Sequence, residues 1–196
     1  MGYVTLVAEG PADAEAAKRI CLEFGHFAGP IHITRGKGKL DSNIRGYNNA
    51  ARFIPWLVLR DLNSDATCPP ELVERLVRQR SQFFQLRIPV RALETWLLAD
   101  IENFSPFLSV TARLFPDAPE LLSNPKLTVV NLARQSRRRD IRLDMTPATG
   151  TSAVVGRGYN SRLIEFIHSG WRPENAAQRS ESLRRCMAAV GRFPIS

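Results

Sequence analysis

An apolar run close to the start of the chain ends in a carboxylate. Residues 4–7 (VTLV) are mostly apolar and β-branched, and Glu9-Gly10-Pro11 follows them. Such a short run is typical of a strand that is buried on both faces of a parallel sheet, and Gly and Pro end it. From Pro11 to Phe24 the apolar positions recur at helical spacing, and Pro suits the first position of a helix. The pattern predicts a strand, a tight turn that carries Glu9, and a helix.

Two later segments repeat this arrangement of an apolar run followed by an acid. Residues 56–59 (WLVL) are uniformly apolar, and Asp61 comes two residues later. Residues 83–90 (FFQLRIPV) predict another strand, after which Glu94 lies at the start of a short helix. Parallel strands present their carboxyl ends at one edge of a sheet, where ligands bind. We therefore expect Glu9, Asp61 and Glu94 to lie on one acidic rim.

The rest of the chain gives weaker patterns. They predict a strand over residues 30–34 and helices over 43–53, 71–79, 127–133, 161–168 and 174–190, while periodicity is otherwise lost between 101 and 145. Strands that alternate with helices favour an α/β fold with a mostly parallel, Rossmann-like sheet flanked by helices. We expect an α/β core over residues 1–100 and a helical, loop-rich extension over 101–196, packed together as one compact unit.

Each of these acids also has a plain structural explanation. Glu9 could cap the helix that follows it, and Glu94 could sit in a first helical turn, where the helix dipole stabilises an acid by about 0.3 to 1 kcal/mol. Asp61, Asn63 and Asp65 could form an Asx-rich turn that leaves the strand. Taken singly, these explanations are about as good as a ligand role. The repetition at several strand ends favours the ligand role.

The charge of the chain suggests a polyanionic partner. There are 27 Lys and Arg against 19 Asp and Glu, which gives a net charge of +8. Lys37 and Lys39 alternate with glycines, and Arg137, Arg138 and Arg139 are consecutive. An arginine can engage two phosphate oxygens at once, although a surface turn and a solvated helix end are the plainer alternatives for these two clusters. Acids at strand ends and bases elsewhere favour a nuclease, which needs acids for metal and bases for phosphate.

Several classes of protein are disfavoured by the composition. No apolar stretch is long enough to span a bilayer, and the start lacks the basic region of a signal peptide, so we expect a soluble cytoplasmic protein without a membrane partner. Cys21, Cys68 and Cys186 are scattered and odd in number, which favours free thiols over a zinc site or a disulfide framework. The three histidines have no metal-ligand spacing.

Three short motifs together resemble a TOPRIM domain. They are Glu9-Gly10 after the first strand, Asp61 with a polar residue two positions on, and the segment 92–100 (ALETWLLAD). Within that superfamily the chain is similar to the compact TOPRIM-like proteins, related to the OLD (overcoming lysogenisation defect) nucleases, that prokaryotes encode beside AAA ATPases. The resemblance extends to residues 159–167 and 176–186 and so covers most of the chain.

The resemblance implies a metal site built from several acids. It implies that Glu9 is a metal ligand or a general acid/base, that Asp61 opens an acid-x-acid metal pair, and that Asp13 and Glu94 complete a second metal position. The resemblance also implies that Lys126 corresponds to the lysine that such enzymes keep near the scissile phosphate. The implied ions are Mg²⁺ or Mn²⁺, one or two per site.

The chain departs from the family pattern at Asn63. This residue stands where the second acid of the acid-x-acid pair is expected. Its amide oxygen is still a neutral ligand, and Asp65 could supply the missing charge. The substitution nevertheless puts tight binding of a divalent ion in question.

Three functional hypotheses follow. The first is a Mg²⁺-dependent nuclease that hydrolyses phosphodiester bonds in nucleic acid, DNA in the first instance, and the resemblance adds an AAA/ABC-type ATPase partner and a role in anti-phage defence. The second is a TOPRIM-like nucleic-acid-binding or regulatory subunit with weak or no catalysis, which Asn63 favours. The third is a small-molecule phosphohydrolase, because an Asp after a buried strand also suits an aspartyl-phosphate mechanism. A homo-oligomer is compatible with all three.

Overall fold

The four strands form one parallel sheet. A computed structural model describes residues 2–194 and contains strands β1 (Tyr3–Ala8), β2 (Phe27–Ile33), β3 (Trp56–Leu59) and β4 (Phe84–Arg87). Their order in the sheet is β2-β1-β3-β4, and every pairing is parallel. The apolar runs at residues 4–7 and 56–59 form the two central strands, β1 and β3, and almost all residues of these strands are buried. The expected α/β fold with a parallel sheet is therefore confirmed.

Helices cover both faces of the sheet and form most of the C-terminal half. They are α1 (Pro11–Glu23), α2 (Lys37–Ala50), α3 (Pro69–Leu76), α4 (Glu94–Leu98), α5 (Ile101–Leu108), α6 (Pro125–Arg134), α7 (Arg139–Met145), α8 (Tyr159–Ser169), α9 (Pro173–Ala176) and α10 (Glu181–Val190). Two short 3-10 helices, Ala112–Leu114 and Pro119–Leu121, connect α5 to α6. No helix within residues 2–194 combines the length and the apolar character needed to cross a membrane.

The sheet separates two apolar clusters. Alternate residues of the strands point to opposite faces, so Leu6 joins one cluster and its neighbour Val7 joins the other. The larger cluster contains side chains from both halves of the sequence, and within it the rings of Phe104 and Phe166 stack with their centroids 4.3 Å apart. The C-terminal helices therefore pack on the same core as the strands.

The helices depart most from the sequence pattern in three regions. Helix α2 begins at Lys37, not at residue 43, because Gly36 adopts a φ of 127° and turns the chain directly into a helix. The single helix predicted over 174–190 is two, since Ser180 accepts a hydrogen bond from the Leu183 N–H and caps a new helix. Residues 101–145 hold helices α5 and α7 in addition to α6, although periodicity does not reveal them.

The three cysteines are free, as expected. Cys21 and Cys186 are buried, and burial raises the pKa of each thiol to about 12. Cys68 is exposed at the start of α3. Because a thiolate is the reactive form, the two buried cysteines are unsuited to nucleophilic chemistry at neutral pH.

Candidate active site

Glu9 and Asp61 meet at the carboxyl ends of the two central strands. Strands β1 and β3 pair in parallel, so the residues that follow them emerge at the same edge of the sheet. The Asp61 backbone N–H donates to Oε1 of Glu9 at 3.1 Å, and Oδ1 of Asp61 accepts the Leu93 backbone N–H at 3.1 Å. These two hydrogen bonds tie together the segments that follow β1, β3 and β4.

Asp13 and Glu94 complete a group of four acids, here called the acidic cleft. Asp13 lies in the first turn of α1, and its carboxylate accepts the Gly10 N–H at 2.9 Å. Glu94, the first residue of α4, is only 5% exposed, and its Oε1 accepts the Tyr159 hydroxyl at 3.0 Å. The ammonium of Lys126 lies 3.8 Å from the same oxygen. Four acids and one lysine, which come from well-separated parts of the sequence, therefore lie close together at this edge of the sheet.

Burial and mutual repulsion raise the pKa of three of these carboxyls, those of Glu9, Asp13 and Asp61. Burial raises the pKa of Asp13 to about 7, assisted by the negative charges of Glu94 and Glu9. Burial, with the charges of Asp13, Glu94 and Glu9, raises the pKa of Asp61 well above its usual range. Burial also raises the pKa of Glu9, while the Arg60 guanidinium opposes that shift. A bound cation would relieve this repulsion.

A second ionic group lies beside the cleft and contains Asp65. The guanidinium of Arg60, itself 3% exposed, lies 2.6 Å from Asp65 and 2.9 Å from Asp41, and 3.9 Å from Glu9. The ammonium of Lys37 lies 2.7 Å from the other oxygen of Asp65. Asp65 therefore neutralises two cations, and Arg60 connects it to Glu9 of the acidic cleft.

A cavity of about 380 Å³ opens beside Asp61. Asn63, Arg91 and Lys126 contribute to its lining. Asn63 has a φ of 50°, and its backbone is fixed by Arg91, whose Nη1 donates to the Asn63 carbonyl at 2.9 Å. The Asn63 amide nitrogen lies 3.5 Å from the Asp61 carbonyl, so the side chain stays at the cavity wall. Two cationic side chains at the mouth of the acidic cleft are suited to an anionic group.

The oxygen ligands of the cleft suit a hard divalent cation. Glu9, Asp13, Asp61 and Glu94 offer only carboxylate oxygens, which Mg²⁺ and Mn²⁺ prefer. Within residues 2–194, however, no group of three or more His, Cys, Asp or Glu side chains is arranged to hold a metal ion. Mg²⁺ is commonly held by one or two carboxylates, with waters and substrate phosphates as the other ligands. The residues fit that open mode of binding and do not fit a closed cage of protein ligands.

The two basic clusters lie on the surface. Lys39, Arg137 and Arg139 are exposed, with Arg139 at the first position of α7. Arg138, which directly precedes α7, pairs with Asp140 of that helix, and Lys37 is held by Asp65. Three of the five cations proposed for nucleic-acid contact are thus free of a carboxylate partner among the described residues.

Two residues of the site carry no clear signal in the sequence. Arg60 follows a buried strand directly, and its partner Asp41 lies 19 positions earlier in α2, with no local pattern that connects the two. Tyr159 lies 65 positions from Glu94 in the sequence, and no local pattern connects them. Long-range partners of this kind follow from the packing of α8 and α4 against one core.

Comparisons with models of known protein families, with curated proteins and with solved structures find no match to this chain. A fold of this class serves many unrelated chemistries, so function has to be argued from the site.

Proposed function

We propose that this protein is a TOPRIM-type nuclease that uses Mg²⁺ or Mn²⁺ to hydrolyse phosphodiester bonds in nucleic acid, with DNA as the first substrate to test. The observation that carries the proposal is the acidic cleft, in which four carboxyls converge and the pKa values of Glu9, Asp13 and Asp61 are raised. Such a group attracts a divalent cation, and the cationic cavity beside it suits a phosphate.

The residues of the cleft divide into three roles. One or two of the carboxylates of Glu9, Asp61 and Glu94 would hold the ion, which when bound acts as a Lewis acid on the phosphate and makes water more acidic. Asp13, with a pKa of about 7, is suited to accept or release a proton near neutral pH. The Lys126 side chain is 48% exposed and lies only 3.8 Å from Glu94, so it can turn to a phosphate oxygen at the cavity mouth.

The proposal also includes a partner, a biological role and a cellular location for the nuclease. An AAA/ABC-type ATPase partner, a role in anti-phage defence and a cytoplasmic location rest on the TOPRIM-like motifs alone. The net charge of +8 supports a polyanionic substrate, since basic surfaces bind and steer nucleic acid.

A second candidate function is a nucleic-acid-binding or regulatory subunit with weak or no catalysis. Two observations favour it: Asn63 stands where the family pattern has an acid, and no group of three or more ligating side chains is ready to hold a metal within residues 2–194. On this hypothesis the basic surface binds nucleic acid and the acidic cleft is a remnant.

Cleavage of supercoiled plasmid with Mg²⁺ or Mn²⁺ distinguishes these functions. The assay compares wild type with Glu9→Gln and Asp61→Asn, alone and with a candidate ATPase, and uses Asp117→Asn at an exposed position as the matched control. We expect both cleft variants to lose at least about a hundredfold in rate and the control to retain it.

Three other outcomes would reject the assigned site or select a different function. Equal cleavage by wild type and both cleft variants would reject the assigned site. Binding of DNA without cleavage under any condition would select the binding subunit. A covalent, acid-labile phosphate on Asp61 would instead select the small-molecule phosphohydrolase.

A further inference from the structure

A second cavity lies between α3, β4 and α10. Its volume is about 760 Å³, and it shares no lining residue with the cavity beside Asp61. Its lining includes apolar side chains, among them Val73, Val77 and Ile88, and several arginines. Cavities of this size are typical of sites for small molecules, which place a few polar groups in an apolar surround.

Arg87 is the unusual residue of this cavity. It lies at the end of β4 and is partly buried, and its Nε atom is shielded from solvent without a hydrogen-bond partner. Its guanidinium donates to the side-chain oxygen of Gln85, and no carboxylate pairs with it among the described residues. Burial lowers the pKa of Arg87, and the positive charges of Arg80 and Arg185 act in the same direction.

The acids that line the cavity do not compensate this charge. Three acids line it, and none of them forms an ion pair with Arg87 among the described residues. Glu74 is exposed on α3, and Glu181 is held by Arg184 and Arg185 of its own helix. Glu120 lies in the second 3-10 helix, and its Oε1 accepts hydrogen bonds from Ser180 and Ser182. A partly buried guanidinium without a countercharge is unfavourable, and an anion that enters the cavity would remove the penalty.

We propose that this cavity binds a small organic anion, in which a phosphate or carboxylate group contacts Arg87 and an apolar body lies against Val73, Val77 and Ile88. Arg80, exposed at the rim, adds to the attraction of the anion. The inference is independent of the proposed nuclease activity, because the two cavities have no residue in common.

The Arg87 Nε–H provides a direct reporter of binding. Its ¹⁵N–¹H signal, assigned with the Arg87→Met variant, is followed while phenyl phosphate, benzoate, inorganic phosphate or benzyl alcohol is added to the full chain. We expect saturable shifts with at least one aromatic anion, binding at least about tenfold weaker for inorganic phosphate, and no shift with benzyl alcohol. The two aromatic anions distinguish a phosphate from a carboxylate ligand.

Variants test whether Arg87 is responsible. Calorimetric affinity for the better aromatic anion should fall at least about tenfold in Arg87→Met and about threefold in Arg80→Met, while Arg113→Met, at an exposed position in the first 3-10 helix, should leave it unchanged. Without ligand, Arg87→Met should melt at the same temperature as wild type or higher, since it removes an unpaired charge.

Two results would overturn the proposal. One is the absence of any shift of the Arg87 Nε–H with both aromatic anions up to about 10 mM. The other is equal affinity of wild type and Arg87→Met. If Arg87→Met does not fold, the wild-type titration and the exposed Arg80→Met variant still decide the question.

Discussion

Asp61 connects the neighbouring segments of the acidic cleft through its hydrogen bonds. Its N–H is bound by Glu9 and its carboxylate by the Leu93 N–H, so both its position and its orientation are fixed. The same carboxyl lies among Asp13, Glu94 and Glu9, whose charges oppose its ionisation. Groups held in such an unfavourable environment are typical of functional sites, where stability is given up for activity.

Replacement of this carboxyl by an amide should therefore stabilise the metal-free protein. Asp61→Asn removes one charge from the cleft and keeps an oxygen for the Leu93 N–H. We expect the free energy of unfolding in EDTA to rise by about 1 to 2 kcal/mol, measured by urea denaturation at pH 8. Asp117→Asn, at an exposed position, should change it by less than about 0.5 kcal/mol. A loss of stability in Asp61→Asn would show that Asp61 is structural.

The ends of β1 and β3 are the part of the architecture that the sequence predicts best. Two short apolar runs predicted buried strands of a parallel sheet, and the acids that follow them were expected at one edge, where Glu9 and Asp61 are found. The start of α2 escaped prediction because its first turn contains Lys37, Gly38 and Lys39, which have no apolar periodicity. The pairing of Asp65 with Arg60 and Lys37 also escaped, since it depends on how α2 packs beside β3.

The contact between the start of α2 and the turn after β3 should be structural. Asp65→Asn removes a partner from the buried Arg60 and should lower the free energy of unfolding by about 1 to 3 kcal/mol, with plasmid cleavage within about threefold of wild type. Lys37→Ala breaks only the outer ion pair, in which Lys37 is 47% exposed, and should lower it by less than about 1 kcal/mol. A loss of cleavage in Asp65→Asn at unchanged stability would instead show that Asp65 is needed for activity, as a metal ligand would be.

The whole molecule combines a basic surface with an acidic cleft. The net charge of +8 favours a polyanion over the surface, while the four acids repel it locally. A divalent cation held by these carboxylates would resolve this conflict, because its positive charge would offset their repulsion of a phosphate. The sequence contains both charge patterns, but their position relative to each other follows only from the fold.

The same electrostatics make stability depend on pH. The pKa of Asp13 is raised from 3.8 to about 7, so between these values the folded protein holds a proton that the unfolded chain has released. The resulting stability is complete below about pH 4 and is lost as the pH rises to about 7; the raised pKa of Asp61 has the same sign. We expect the metal-free protein to be less stable at pH 8 than at pH 6 by at least about 1 kcal/mol.

Urea unfolding in EDTA at pH 6 and pH 8 measures this difference. The difference in the free energy of unfolding between pH 6 and pH 8 should be much smaller in the Asp13→Asn variant. This result would distinguish the titration of Asp13 from that of the exposed contact between His168 and Glu15. Stability that is equal or greater at pH 8 in the wild type would contradict the raised pKa values.

Binding of Mn²⁺, followed by electron paramagnetic resonance with and without a short DNA duplex, is the most direct test that the four acids form a cation site. We predict saturable binding to the wild type and to Asp117→Asn, tighter in the presence of DNA, and at least about tenfold weaker binding to Glu9→Gln and Asp61→Asn. Equal Mn²⁺ affinity in wild type and both cleft variants would contradict it.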